Sequence, residues 1–517
     1  MHTDSSIILM FIVAAAVAVV ATRLRLPYTV ALVVTGLVLG QLDVFAPLHL
    51  TQELLFVVFL PGLLFEAAFH LNFAQFRQDK SLILALAVPG VMAAILLTAL
   101  ILVPGAALLP VDDAITWQEA LVFGALVAAT DPIAVVGLFR SLGAPHRLSA
   151  LLEAESLLND GTAIVFFTLI LGVVGGAAVS ISAVSLEFVR VVGLGAGTGL
   201  VIGLVISVVI QRIDDPMIEI TLTTIAAYGA FAAAERLHGS GVIATVIAGM
   251  LCGNYAARTG MSPTTRVAVE TFWAYVAFAL NSIIFLLIGF EVRLQHMLDA
   301  WPFILLAWLA VVLGRTAVVY AASGLAARGT SRIPPSWRLL LSWGGLRGGL
   351  SMVLALSLPA TMPHRSLLID ITFGVVLLSL LVQGLTMAPL LRRFGVGKSG
   401  ARRLDYDRAR NELHAVQVAL RELDRMERVG QPDREGLETL RGEYQARFER
   451  LGEELGRLRA EGGDLREEDL RHARRHLLLV EKTEAIEASH QGMLSREAYE
   501  RRLAEVDERL LGLDEPT

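Results

Sequence analysis

The chain has 517 residues, 55% of them hydrophobic and only 18% charged, with a net charge of -6 and a mean hydropathy of +0.63. Soluble domains average about 25% charged residues, so an ordinary globular protein is excluded, and the small, mixed charge gives no footing for a nucleic-acid partner. The single cysteine, Cys252, rules out an internal disulfide and a cysteine metal site, and is read as a small buried hydrophobe.

The N-terminal run MHTDSSIILMFIVAAAVAVVATRLRLP carries its positive charges, Arg23 and Arg25, after the apolar stretch rather than before it. It therefore reads as a first membrane span that stays in place, not as a cleaved signal. Apolar segments long enough to cross a bilayer recur up to about residue 391. They fall near 5–22, 27–41, 52–71, 81–104, 119–140, 154–175, 185–210, 216–235, 240–256, 270–290, 300–325, 337–359 and 367–391. With the N-terminus outside, the inside loops hold Arg23 and Arg25, Arg77 and Lys80, Arg140 and Arg147, Arg212, Arg258 and Arg266, Arg328, Arg332 and Arg338, then Arg392, Arg393 and Lys398. The outside loops near 42–51, 105–118 and 176–184 hold none, so basic-inside asymmetry supports about thirteen spans and a cytoplasmic C-terminus.

In the third span, FLPGLLFEAAF places Glu66 at mid-to-inner membrane depth, where it assists ion binding, lines an entrance or makes a structural hydrogen bond. The fifth span, LVFGALVAATDPIAVVGLF, carries Asp131 between Thr130 and Pro132. Proline removes a donor and disfavours helix at the preceding residue, so the helix breaks at Thr130–Asp131. Unwound backbone at membrane depth needs protein or a wet cavity around it, and a break beside a carboxylate makes a cation site.

The sixth span opens LLEAESLLNDGTAIVFF. Glu155 and Asn159 lie one helical turn apart, as do Ser156 and Asp160. Ser156, Asn159 and Asp160 can thus present oxygens toward Asp131, and an all-oxygen set suits a hard cation. Glu155 lies around the helix and needs a counter-charge, since an unpaired buried charge is far costlier than a paired one. Arg347 is the expected partner. Glu153 is nearer the cytoplasmic end and reads as solvated, while Arg315, in VVLGRTAVVY, reads as a structural counter-charge or interface residue.

The twelfth span, SWRLLLSWGGLRGGLSMVLAL, brackets Arg347 with Gly344, Gly345, Gly348 and Gly349. Close helix packing is the plainer explanation of those glycines. A second interruption, running opposite to the fifth span, is the functional one, because paired interrupted helices mark inverted-repeat transporters with a midplane site. Beyond about residue 392 the chain turns polar, and more than half of all its charges lie there. Leu413, Val416, Leu420 and Leu423, then Leu451, Leu455 and Leu458, recur at helical spacing, with breaks at Gln431–Pro432 and Gly462–Gly463. The reading is a 1–392 membrane domain followed by a 393–517 cytoplasmic helical tail, solvated or regulatory, its ligand undetermined.

Taken together, ATDPIAVV (129–136), ESLLNDGTAIV (155–165), FLPGLLFEAA (59–68), NSIIFLLIGFEV (281–292) and SWGGLRGGLSMVLAL (342–356) resemble the NhaP-type sodium/proton antiporters, the branch shared with sodium/hydrogen exchangers. The resemblance covers about residues 5–392. It implies a homodimer of all-α, thirteen-span subunits with inverted repeats and two interrupted, crossing helices. It makes Asp160 the ion and proton carrier, with Asp131, the Thr130 backbone, Ser156, Asn159 and Glu66 completing the site, and Na+ held at Asp160, Asp131 and Ser156. Glu155 and Arg347 match the family's buried ion pair. The Asn-Asp pair matches its electroneutral branch, one sodium for one proton.

The expected activity is therefore exchange of Na+ (or Li+) for H+ across the cell membrane, without a cofactor, in sodium and pH homeostasis. Potassium/proton exchange on the same fold stands as the alternative. An intramembrane aspartyl protease using Asp131 and Asp160 is disfavoured by Pro132, by Asn159 and by the number of spans. A cation channel is disfavoured because no filter or repeated ring is visible.

Overall fold

In a computed structural model the described residues are 2–24, 28–41, 55–109, 115–175, 181–257, 260–291, 294–326, 333–396, 398–428 and 434–460, with scattered positions beyond. The expected loop at 42–51, the basic residues Arg25, Arg258, Arg328 and Arg332, and the two tail breaks lie outside them. Contacts divide the chain into two compact units, Met1–Gly397 and Lys398–Thr517.

Every regular element among the described residues of the first unit is a helix. Among the described residues, seven helices are long and apolar enough to cross a membrane: Phe73–Ala106, His146–Val174, Ser182–Ile210, Pro216–Arg236, Thr264–Glu291, Trp301–Leu325 and Arg365–Arg393. Four shorter apolar helices, Ile8–Arg23, Tyr28–Gln41, Val57–His70 and Gly241–Ala256, stand where the first, second, third and ninth spans are expected. The fifth and twelfth spans are each two half-helices, Trp117–Leu126 with Ile133–Ser141, and Pro335–Trp343 with Gly349–Leu356.

Local chemistry sets the ends. Thr116 and Glu119 form a reciprocal capping box that starts the first half-helix. Asn72 accepts from the Ala74 amide and so starts the fourth span, while Asp215, followed by Pro216, caps the eighth. Four wider π-turns, at Leu55–Phe59, Leu86–Gly90, Cys252–Ala256 and Ser379–Gly384, have no signature in the hydrophobic pattern. Among the described residues, the turn that holds Pro89 has a visible cause, a missing donor inside the ladder.

The two interrupted spans run through the core in opposite senses. One apolar cluster holds the end of the first (Val135, Val136, Phe139) together with the start of the second (Leu340, Leu341, Leu346). A second cluster holds the start of the first (Phe123, Leu126) with the end of the second (Leu354, Ala355). The breaks therefore lie where the two clusters meet.

The second unit is, in its described part, a hairpin of Lys398–Arg428 and Arg434–Ala460. The leucine stripe is the face it buries: Tyr406, Ala409 and Leu455 form its core, flanked by Leu413 and Leu458. Outside that core Arg441 spans Asp424 and Glu427 at 2.6 and 2.8 Å.

Candidate functional site: two broken helices and a loaded one

The first break leaves the carbonyls of Ala128, Ala129 and Thr130 without helical partners, and side chains take them up. Arg347 Nη1 donates to the Ala128 and Ala129 carbonyls at 2.7 and 3.1 Å. Asn159 Nδ2 donates to the Ala128 carbonyl and to the Thr130 hydroxyl, both at 3.0 Å. The Ser156 hydroxyl donates to the Thr130 carbonyl. A guanidinium at the C-terminal end of a half-helix opposes the negative end of the helix dipole. The freed carbonyls thus face fixed donors.

On the other side of the break, Asp131 acts as a cap. Its Oδ1 accepts from the Ile133 amide at 3.0 Å, starting the second half-helix, with Pro132 in the first-turn position that needs no donor. Its own amide donates to the Leu346 carbonyl at 2.8 Å, so the two breaks touch backbone to backbone. That approach requires Gly348, where an added Cβ would lie 2.6 Å from Asp131 Oδ2.

Asn159 and Asp160 face this junction from the continuous His146–Val174 helix. Asn159 is buried, and because its Nδ2 is committed to the Ala128 carbonyl, its Oδ1 is left as an acceptor with no partner. Asp160 Oδ1 is likewise buried and unpartnered. The charged groups acting on Asp160 are Asp131, Glu155 and Arg347. Two orphan oxygens on consecutive residues, one of them a carboxylate oxygen, cost free energy unless something positive meets them. The chemistry of this donor set, oxygen throughout, fits a dehydrated alkali cation or a proton. Among the described residues no cluster of three or more His, Cys, Asp and Glu is arranged to hold a resident metal.

One expected pairing is overturned. Glu155 is bound by Arg315, not by Arg347: Nη1 and Nη2 of Arg315 meet its two oxygens at 2.9 Å each. Both residues are buried, and the fork geometry satisfies both carboxylate oxygens at once. Gly345 makes room, since a Cβ there would run into the Arg315 guanidinium. Arg347, freed of that duty, serves the half-helix carbonyls instead. The signal for Arg315 was present, as a charge inside an apolar span, but nothing in the sequence says which of two buried arginines reaches Glu155.

Glu66 is engaged elsewhere, with His70 Nδ1 at 3.3 Å one turn along its own helix. Residues the sequence did not single out also act here. Thr162 donates to the Ala87 carbonyl inside the Pro89 π-turn, tying the loaded helix to the fourth span. Ser379 and Gln383 bond the backbone on either side of the second break.

A family model described as sodium/hydrogen exchanger, transmembrane, matches residues 7–393. A low-affinity Na+/H+ antiporter, NhaS1 of Synechocystis, is 41% identical over 405 residues, covering 77% of this chain and 74% of its own. The Na+/H+ antiporter NhaG of Bacillus atrophaeus is 33% identical and covers 97% of this chain and 96% of its own. In fold, the body is similar to the sodium proton antiporter MjNhaP1 of Methanocaldococcus jannaschii, with a TM-score of 0.60, 20% identity, and 74% of this chain matched to 98% of that one. A family match spanning both broken helices and the loaded helix, on a body of the same fold, places this chain in the sodium/hydrogen exchanger family of secondary transporters.

Proposed function

We propose that the chain exchanges Na+ for H+ across a cytoplasmic membrane by alternating access, one ion for one proton. The observation that carries this is that Asp160 and its neighbour Asn159 each keep a buried, unpartnered oxygen on the helix that faces the two breaks. Either ion neutralises Asp160. A charged side chain at the bilayer centre costs roughly 2.5–3.5 kcal/mol on insertion scales, so the empty, ionised site is held back while the loaded one crosses. Exchange is then obligatory, because one of the two ions must be aboard.

Asp131 completes the cation's surroundings with its second oxygen, and Ser156 and Thr130 fix the backbone behind it. Glu66, paired with His70, is assigned to the cytoplasmic approach. The thirteen-span arrangement, with N-terminus outside and tail inside, is supported by the basic residues gathered at one set of helix ends. The exposed apolar side chains of the Ile181–Ile210 helix, such as Leu186, Val189 and Val201, suit lipid and a second copy of the chain in a homodimer.

The test is the protein reconstituted in liposomes, with lumenal pH followed after Na+, Li+ or K+ is added outside. Na+-driven proton efflux that disappears in Asp160→Asn is the expected result. Efflux with K+ alone would replace the substrate, and no proton movement with any cation would overturn exchange.

A further inference from the structure

Besides its contact with Asp131, the second break is held by the last helix. Trp343 ends the break's first half-helix and Gly349 begins the next, so the Trp343 carbonyl and the Arg347 amide both fall outside the regular ladder. Both are met by one short stretch of the last helix. Ser379 Oγ accepts from the Arg347 amide at 3.0 Å while donating to the Val376 carbonyl at 2.8 Å. Gln383 Nε2 donates to the Trp343 carbonyl at 3.3 Å. Ser379 and Gln383 are 1% and 3% exposed and lie four residues apart, at the start and near the end of the π-turn Ser379–Gly384. They therefore share a helix face, and the wider turn carries them against the break.

These bonds fix the Arg347 backbone, and the backbone fixes where its guanidinium can reach. In the observed position Nη1 is spent on the Ala128 and Ala129 carbonyls, while Nε has no partner. The charged groups that act on Arg347 are Arg315, Glu155 and Asp160. Of the two carboxylates, Glu155 already has both oxygens on Arg315, which leaves Asp160 as the anion a displaced Arg347 would seek.

We propose that Ser379 and Gln383 are positioning residues for cation binding: they hold Arg347 on the half-helix carbonyls and so keep a built-in cation away from Asp160. The inference rests on the exchange reading above and deepens it. An arginine released toward Asp160 competes with Na+ for the same oxygen. The defect is then one of apparent affinity, with maximal rate largely kept.

The experiment uses the full-length protein in liposomes, with initial rates of Na+-driven proton efflux measured across a range of Na+ concentrations. Ser379→Ala is expected to raise the apparent KM for Na+ by about fivefold to tenfold at near-unchanged maximal rate, the scale of one lost buried hydrogen bond. Ser379→Thr, which keeps the accepting hydroxyl, should return KM to the wild-type value. Gln383→Met should shift KM in the same direction by a smaller factor. An unchanged KM in Ser379→Ala, or a fall in maximal rate alone, overturns the proposal and leaves the serine a purely structural bond. If Ser379→Ala does not accumulate as folded protein, Gln383→Met decides by the same criterion. Absence of efflux in the wild type would instead sink the exchange reading, so the two failures are distinguishable.

Discussion

Asp131 and Asp160 are both acidic and both face the junction, yet they are committed differently. Asp131 Oδ1 is spent as a helix cap, whereas Asp160 Oδ1 is free. Asparagine caps a helix about as well as aspartate, while alanine loses about 1 kcal/mol. Asp131→Asn should accordingly leave thermal stability in detergent nearly unchanged and weaken Na+ binding, whereas Asp131→Ala should lose stability as well. The buried pair offers a second prediction. Removing one partner of such a pair costs roughly 3–5 kcal/mol, so Glu155→Gln and Arg315→Leu should each unfold at clearly lower temperature. In double-mutant cycles read by thermal unfolding, Glu155 should couple strongly to Arg315 and much less to Arg347. A larger Glu155–Arg347 coupling would contradict the pairing described here. Charges in apolar runs announce that partners exist, but the choice between Arg315 and Arg347 depends on how two distant helices pack, which no spacing along the chain encodes.

At the scale of elements, the half-helices were legible because their causes are local. Pro132 disfavours a continuous helix, and four glycines around Arg347 permit a turn away from one. The π-turns were not legible, because among the described ones Leu86–Gly90 alone contains a proline. That is why Ser379, Gln383 and Thr162, ordinary polar residues in apolar helices, went unremarked until the helices were seen together. The glycines divide by what surrounds them. A Cβ at Gly345 meets the Arg315 guanidinium and one at Gly348 meets Asp131, whereas Gly193 and Gly197 face open space. Overpacking costs typically 1–3 kcal/mol, so Gly345→Ala and Gly348→Ala should sharply reduce exchange, and Gly197→Ala should leave it near wild type. Proton efflux in liposomes, normalised to reconstituted protein, checks all three.

On the scale of the whole molecule, the body and the charged hairpin are separate compact units, and a chain of which 98% is matched has the fold of the body. Truncation after Gly397 should therefore leave Na+-driven proton efflux in place, with any change confined to its pH or salt dependence. The hairpin was visible as a leucine stripe, but what it recognises is not written in a face that the hairpin itself buries. The last consequence belongs to that single uncommitted oxygen of Asp160. In the one-for-one exchange proposed above, Asp160 trades one passenger for the other at equal charge, so the membrane voltage would do no work on the cycle. The exchanger then acts as a lever with equal arms, balancing when the sodium ratio across the membrane equals the proton ratio. Each unit of pH difference is matched by about a tenfold sodium gradient and no more.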